Sequence, residues 1–242
     1  MQNTKKNRST WNIIKSIIVG LSLTVTGTLA ILVITLAIML MTGNFYPIIE
    51  TLFVEQPYER WVSQFDLVGV QAEDTVFLGD SLTEYGAWNE LFPESTVANR
   101  GIVGDTTTGV LARLDQVIEG QPSQIFLMIG TNDIFAGRSE EEIVGNIVTI
   151  VDRIQEASPE TEIYVQSLLP REAVFQDAVE SLNASLEIAI EGKATWVNLY
   201  PLFLGDDGAS LADSLTNDEL HLMGEGYIIW RDAIAHLVNQ ES

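Results

Sequence analysis

"TVFLGDSLTEYG", residues 75–86, is the stretch on which the fold turns. Residues 75–78 are short, uncharged and rich in β-branched and aromatic side chains, the pattern of a strand buried on both faces. Gly79 ends the run, and Asp80-Ser81 precedes a segment able to open a helix. A strand passing through a tight turn into a helix is the unit of a parallel α/β sheet. Ser81 then has two readings. It caps the helix, since Ser is among the best N-cap residues, or it is a nucleophile displayed on the turn. The stretch alone supports both, and capping is the commoner use of a lone Gly-Asp-Ser.

Working outward, the same alternation repeats. Strand-like runs fall at 75–78, 96–99, 124–129, 162–167 and 195–200, with helical patterns between them. "TTTGVLARLDQVIEG" places Val110, Leu111, Leu114, Val117 and Ile118 on one face and stops at Gly120. "SEEEIVGNIVTIVDRIQEASP" opens with Ser139 three residues before Glu142, a capping box, and stops before Pro159. "QDAVESLNASLEIAIEG" and "GEGYIIWRDAIAHLVNQ" supply two more helices. Strands and helices alternating at this spacing predict a parallel sheet covered by helices on both faces, with ligands bound at the carboxyl ends of its strands.

The first 42 residues do not belong to that domain. Residues 16–43 contain no charge, and the apolar run 17–41 spans roughly 37 Å as a helix, enough for a ~30 Å hydrocarbon layer. A cleavable signal peptide has a shorter apolar region and a small-x-small cleavage site. Here the run ends in Met-Leu-Met-Thr-Gly, which favours an uncleaved signal anchor. Lys5, Lys6, Arg8 and Lys15 all precede the run, so the N-terminus is expected in the cytoplasm and the remainder outside the cell. The expected organisation is a basic segment (1–15), a transmembrane anchor (16–42), a membrane-proximal connector and helix (43–74) and the α/β domain (75–242). In the connector, Tyr58, Trp61, Phe65 and Leu67 or Val68 fall near helical spacing. That stripe suits packing on the domain or an interfacial helix at the lipid headgroups.

Of 12 Lys and Arg, eight follow the anchor together with all 34 Asp and Glu, a net charge of −26. Such a domain has no electrostatic basis for holding nucleic acid or an anionic membrane surface. The chain has no Cys and two His, which excludes disulfide frameworks, thiol nucleophiles and multi-His metal cages.

The polar and Gly-rich signatures follow the strands: Gly79-Asp80-Ser81 after the first, "NRGIVGDTT" (99–107) after the second, "GTND" (130–133) after the third, and "DELHL" (218–222) before the last helix. One crevice can collect all four. A nucleophilic Ser needs a base, and the base needs a partner that holds its tautomer. His236 lies in a helical pattern and reads as packed or exposed. His221 lies in a loop with Asp218 three residues earlier, so one short turn can place the carboxylate behind the ring. Taken alone, an Asp at this place is more commonly an ordinary helix or turn cap. Donors for a developing oxyanion are available from the Ser81 N–H at a helix start, the Gly104 N–H and the Asn132 side chain.

These four blocks, in this order, resemble the SGNH hydrolases, the Gly-Asp-Ser-Leu esterases and lipases, over about residues 75–238. The resemblance implies a flavodoxin-like three-layer α/β/α sandwich with a five-stranded parallel sheet. It implies Ser81 as nucleophile, His221 as base, Asp218 as its orienter, and an oxyanion hole from Ser81, Gly104 and Asn132, with no metal or cofactor. Asp80 and Asp133 then fix loops. Glu219 stands where the family often has Gly, and Met223-Gly224 replaces a commoner Asn-containing pair. The Ser is not in a G-x-S-x-G elbow, since residue 83 is Thr, which disfavours the larger α/β-hydrolase fold. "GIVGDTTTG" is neither a dinucleotide fingerprint nor a P-loop. A non-catalytic surface module on a decayed hydrolase fold is expected to lack a site residue, and none is lacking. The expected substrates are small, carbohydrate or lipid esters, with short acyl groups such as acetyl favoured by the short connections. Trp88, Phe92 and Phe135 are candidates to line the site or to pack the core.

Overall fold

The computed structural model describes residues 56–238, together with Thr26, Thr28, Val33 and Ile34, which are helical. The expected basic segment and transmembrane anchor lie outside the described residues apart from those four. Among the described residues no helix is long and apolar enough to cross a membrane. The chain divides into compact units at 1–55 and 56–242.

The second unit opens with helix α1 (Gln56–Val68), followed by β1 (Thr75–Gly79), the one-turn helices α2 (Ser81–Glu84) and α3 (Trp88–Leu91), and β2 (Val97–Gly101). Then come α4 (Thr107–Arg113), α5 (Asp115–Ile118), β3 (Gln124–Met128), α6 (Thr131–Phe135), α7 (Glu140–Ala157) and β4 (Glu162–Gln166). The chain continues through α8 (Gln176–Ala189), β5 (Thr195–Val197) and α9 (Gly224–Ile234). The five strands form one sheet in the order β2-β1-β3-β4-β5, every pair parallel. This is the expected fold class: an α/β domain on a five-stranded parallel sheet, with the flavodoxin-like strand order.

All five residues of β1 and of β3 are buried. Because side chains alternate between the two faces of a strand, both faces of the sheet centre are covered. Register then stacks like on like. Phe77 of β1 pairs with Phe126 of β3, which pairs with Tyr164 of β4, and their rings stack at 5.2 and 4.5 Å. Trp88 lies flat on Phe77 at 4.1 Å, and Trp230 of α9 meets Trp88 edge-on at 5.0 Å. Each such buried ring contributes about 2–3 kcal/mol through area alone. Phe92, 8% exposed, joins this cluster, so Trp88 and Phe92 pack the core, whereas Phe135 is 56% exposed. Helix α7 is capped by Ser139 Oγ, which accepts the Glu142 N–H, and it buries Ile143, Ile147, Ile150, Val151 and Ile154 while packing against α4 and α8. The pattern over 106–120, expected to form one helix stopping at Gly120, is instead broken into α4 and α5 at Leu114.

Helix α1 belongs to this unit, ahead of the boundary expected at 75. Tyr58 OH donates to Gly109 O (3.1 Å), and the Arg100 guanidinium lies 4.7 Å from the buried Phe65 ring while donating to Gly69 O. Tyr58, Trp61 and Phe65 therefore face the domain. Leu67 and Val68 do not; they are 86% and 70% exposed. Leu67 lies 200° round the helix from Phe65, and Val68 sits on the last turn, where left-handed Gly69 redirects the chain toward β1.

Candidate active site

The first question of the sequence, whether Ser81 caps a helix, has a local answer. Asp80 is the cap: its Oδ1 accepts the Leu82 N–H at 3.0 Å, and Ser81 is the first residue of α2. A carboxylate out-competes a hydroxyl for that donor. Ser81 Oγ is thereby released from capping and meets His221 Nε2 at 2.9 Å. Ser81 itself is only 4% exposed. The short helix behind it is pinned from β2, because Asn99 Nδ2 donates to the carbonyls of Thr83, Glu84 and Gly86 at 3.1–3.2 Å.

The base comes from the loop before α9. His221 Nδ1 lies 2.7 Å from Asp218 Oδ2, while Asp218 Oδ1 accepts the backbone N–H groups of His221 (2.7 Å) and Leu220 (3.1 Å). Desolvation pushes the Asp218 carboxyl up, but these hydrogen bonds outweigh it and hold the group down at about 2. Anionic Asp218 requires a proton on Nδ1, which leaves Nε2 as the acceptor facing Ser81. Glu219 between them has φ +64°, in the left-handed region that favours glycine. The backbone thus explains why Gly is common at this place in the resembling family. His236, read from the sequence as part of a helical pattern, is exposed in a turn just past the end of α9.

The donor side is built from β2 and β3. Asp105 N–H bonds to Ile102 O at 3.1 Å, closing a turn in which Gly104 has φ +75°. Asn132, second residue of α6, gives one amide hydrogen to Asp105 O at 2.8 Å, which ties the two loops together. Asp133 is fully buried and accepts from Thr107 N (2.9 Å) and Thr107 Oγ1 (2.8 Å), so it fixes a loop as expected.

Three contributors were not singled out from the sequence. Arg113 is buried, pairs with Asp105 at 2.8 Å and donates to the carbonyls of Gly79 (3.1 Å) and Arg100 (2.8 Å), joining the ends of β1 and β2. Glu84 accepts from Val103 N at 2.5 Å and from Trp61 Nε1 at 2.9 Å. Asn99 braces α2. A lone Arg on an amphipathic helix and a Glu in a first turn carry no local mark of burial; their partners lie up to 34 residues away. Asp80 is the opposite case, a known motif residue with an unforeseen state. Its Oδ2 is buried without a hydrogen-bond partner among the described residues. Desolvation drives its carboxyl up to about 7, against the Leu82 N–H and with the help of the Asp105 and Asp133 carboxylates.

Together these groups provide a hydroxyl, a base within reach of its proton, a carboxylate fixing the tautomer, and hydrogen-bond donors on neighbouring loops. The model of the GDSL-like Lipase/Acylhydrolase family matches residues 77–229 of this chain. Platelet-activating factor acetylhydrolase IB subunit alpha2 of Rattus norvegicus is 32% identical over 185 residues, covering 70% of this chain and 79% of the relative. Among solved structures, a Streptococcus pneumoniae protein named for platelet activating factor superposes with a TM-score of 0.72 at 25% identity, over 85% of this chain and 99% of that one. A GDSL-like lipase from Bacteroides thetaiotaomicron gives 0.66 at 25% identity, over 74% and 96%.

Proposed function

Since the chain belongs to the GDSL-like lipase/acylhydrolase family, and hence to ester-hydrolysing enzymes, we propose that it cleaves short-chain carboxylic esters through an acyl-Ser81 intermediate. His221 Nε2 takes the Ser81 proton as Oγ attacks the ester carbonyl. Asp218 holds the ring and stabilises the imidazolium. The oxyanion is received by the Ser81 and Gly104 N–H groups and the Asn132 amide, where each donor is worth roughly 3–4 kcal/mol. Collapse expels the alcohol, which takes the proton from His221. Water then gives a proton to His221 and attacks the acyl-Ser81 carbonyl; collapse of that intermediate breaks the bond to Oγ, which takes the proton back from His221, and releases the acid. The observation that carries this reading is the continuous hydrogen-bonded line Ser81–His221–Asp218, at 2.9 and 2.7 Å.

For the substrate, the acetyl group in the name of the 32% identical relative supports a small acyl group. The net charge of −26 beyond residue 42 favours a neutral substrate, and an O-acetyl ester on cell-envelope carbohydrate fits both. A second reading, hydrolysis of lysophospholipid or other lipid esters, is favoured by Phe135, exposed three residues after Asn132 and 6.3 Å from Phe175. The location proposed is a single-pass membrane protein with a cytoplasmic N-terminus and the catalytic unit outside, on a Gram-positive surface. Its support is the basic start and the uncharged run 16–43.

The test compares the full chain with Ser81→Ala on p-nitrophenyl esters of increasing acyl length, with a chelator present. Turnover on the acetyl ester that falls at least 10³-fold in the variant supports the mechanism. Equal rates for the two proteins would sink it. A rate that climbs with chain length replaces the acetyl reading with the lipid one.

A further inference from the structure

The Glu84 side chain connects three parts of the molecule that the proposed mechanism leaves separate. It closes the nucleophile's own helix, it reaches the turn that carries Gly104, and it is held from outside by α1. Its two carboxylate oxygens are divided between these tasks: Oε2 accepts from Val103 N at 2.5 Å, and Oε1 accepts from Trp61 Nε1 at 2.9 Å. Two N–H donors on two oxygens of one group is an arrangement a carboxylate satisfies and an amide cannot, because an amide offers one accepting atom. The neighbourhood is crowded as well as bonded. A side chain at Gly101 would collide with the Glu84 backbone, so β2 and α2 approach as closely as glycine allows.

What the Val103 bond controls follows from the turn. Ile102, Val103, Gly104 and Asp105 are its four residues, closed by the Asp105 N–H to Ile102 O. Gly104, third in the turn, has φ +75°, while Val103 is not among the positive-φ residues, which makes the turn type II. Types I and II differ by a half-rotation of the central peptide, here the one joining Val103 to Gly104. That peptide carries the Gly104 N–H. The two turn forms therefore aim this donor at opposite sides of the loop, so an oxyanion hole that uses it needs one form and not the other.

We infer that Glu84 is a positioning residue for the oxyanion hole: by anchoring Val103 N–H it holds the turn in the form that presents Gly104 N–H, with Trp61 of α1 fixing the carboxylate's other oxygen. This rests on the Ser81 mechanism proposed above. Helix α1 thereby braces the positioning residue from outside, although it precedes every sequence block of the site and the Val103 bond itself does not need the indole. It steadies the nucleophile's helix and the donor loop against each other through one side chain, and the stacking of Trp61 on Phe65 at 5.3 Å keeps the indole in place.

The test uses the full chain and four variants, Ser81→Ala, Trp61→Phe, Glu84→Met and Trp61→Phe/Glu84→Gln, assayed on p-nitrophenyl acetate with melting temperatures alongside. Methionine keeps the length of the side chain and removes the acceptor, so E84M is expected to lose about tenfold in kcat with KM changed less than twofold, the signature of a misaimed transition-state donor. W61F retains kcat within threefold. In the double variant the competing indole donor is gone and the Gln oxygen is free to accept from Val103, so kcat returns to within threefold of W61F. Wild-type kcat in E84M overturns the inference, as does a double variant as slow as E84M, or a loss in which kcat and KM change together as the melting temperature drops. If E84M does not fold, the double variant is judged against W61F alone: a deficit of threefold or less supports the inference, and a larger one overturns it. Undiminished turnover in S81A removes the mechanism and this inference together, whereas an inactive S81A beside a normal E84M removes only the inference.

Discussion

The two sides of the crevice are built differently. The Ser81 side is buried and fixed by distant groups: Ser81 is 4% exposed, Asp80 1%, Asp133 0%, and Arg113 2%. Its hydrogen bonds reach as far as 26 and 34 positions along the chain, from Thr107 to Asp133 and from Arg113 to Gly79. The His221 side is open, with side chains 28% and 47% exposed for His221 and Asp218. Its bonds span two or three residues: His221 and Leu220 to Asp218, and Asp218 N to Thr216 Oγ1 at 3.2 Å. In the mechanism proposed above, the part that receives charge without rearranging is set in the core, where reorganisation is costly. The part that shuttles protons in that mechanism sits in a locally bonded loop near solvent. On that reading, rigidity is concentrated where the transition state needs fixed dipoles.

The largest effect should come from breaking the open side at its single essential bond. In Asp218→Asn the amide keeps an oxygen for the backbone N–H groups but presents N–H to Nδ1. The imidazole must then accept at Nδ1 and carry its proton on Nε2, where it cannot take one from Ser81. A loss of about 10³–10⁴ in kcat near pH 7 is expected, with little change in melting temperature. A loss below tenfold would show that the open side does not depend on the tautomer.

Asp80 tests the buried side through its pH dependence. The folded state holds this carboxyl up at about 7, against 3.8 for an unperturbed Asp. Between those values the native state binds the extra proton, so stability falls as pH rises through the window; it is least affected below pH 3.8 and the penalty is complete above about pH 7. Asp80→Asn removes the titration, and the slope of unfolding free energy against pH from 4 to 7 should flatten by at most about 4 kcal/mol in total. Urea denaturation of both proteins across that range is the measurement. Parallel slopes would mean that Asp80 finds solvent or a partner when it ionises.

The smallest effect sharpens the contrast by relieving the open side. Glu219 is exposed and left-handed at φ +64°, a conformation that costs a non-glycine residue about 1 kcal/mol. Glu219→Gly should raise the denaturation midpoint by an amount worth roughly 0.5–1 kcal/mol, less the greater flexibility of glycine in the unfolded chain. A lowered midpoint would mean that the Glu side chain contributes more than its backbone costs.

Particular residues show how legible the molecule was. Asp218 and His221 could be paired from the sequence because their spacing of three is itself the geometry. The central strands β1 and β3 could be read because burial on both faces leaves a nearly continuous apolar run, and the Gly-Asp-Ser and Gly-Thr-Asn-Asp blocks because each follows such a run. Arg113 could not, since on its own helix it looks like a solvent-facing cation, and only the approach of β1 and β2 encloses it. Trp88 and Phe135 are both aromatics placed after a site block; one is buried under Phe77 and the other projects into solvent, a difference no local pattern expresses.

By itself, then, the sequence determined what depends on neighbours along the chain: the alternation that makes a parallel sheet, the order of the blocks at its carboxyl edge, the Asp–His turn, and the strongly acidic balance of the chain beyond residue 42. Tertiary structure decided what depends on neighbours in space. It gave the capping task to Asp80 and so released Ser81, enclosed Arg113 and Asp105 as an ion pair, left one oxygen of Asp80 without a partner among the described residues, and joined α1 to the site through Glu84. The physical reason is the same in each case. Hydrogen bonds and desolvation act over a few ångströms, and only the packed chain specifies which groups share them.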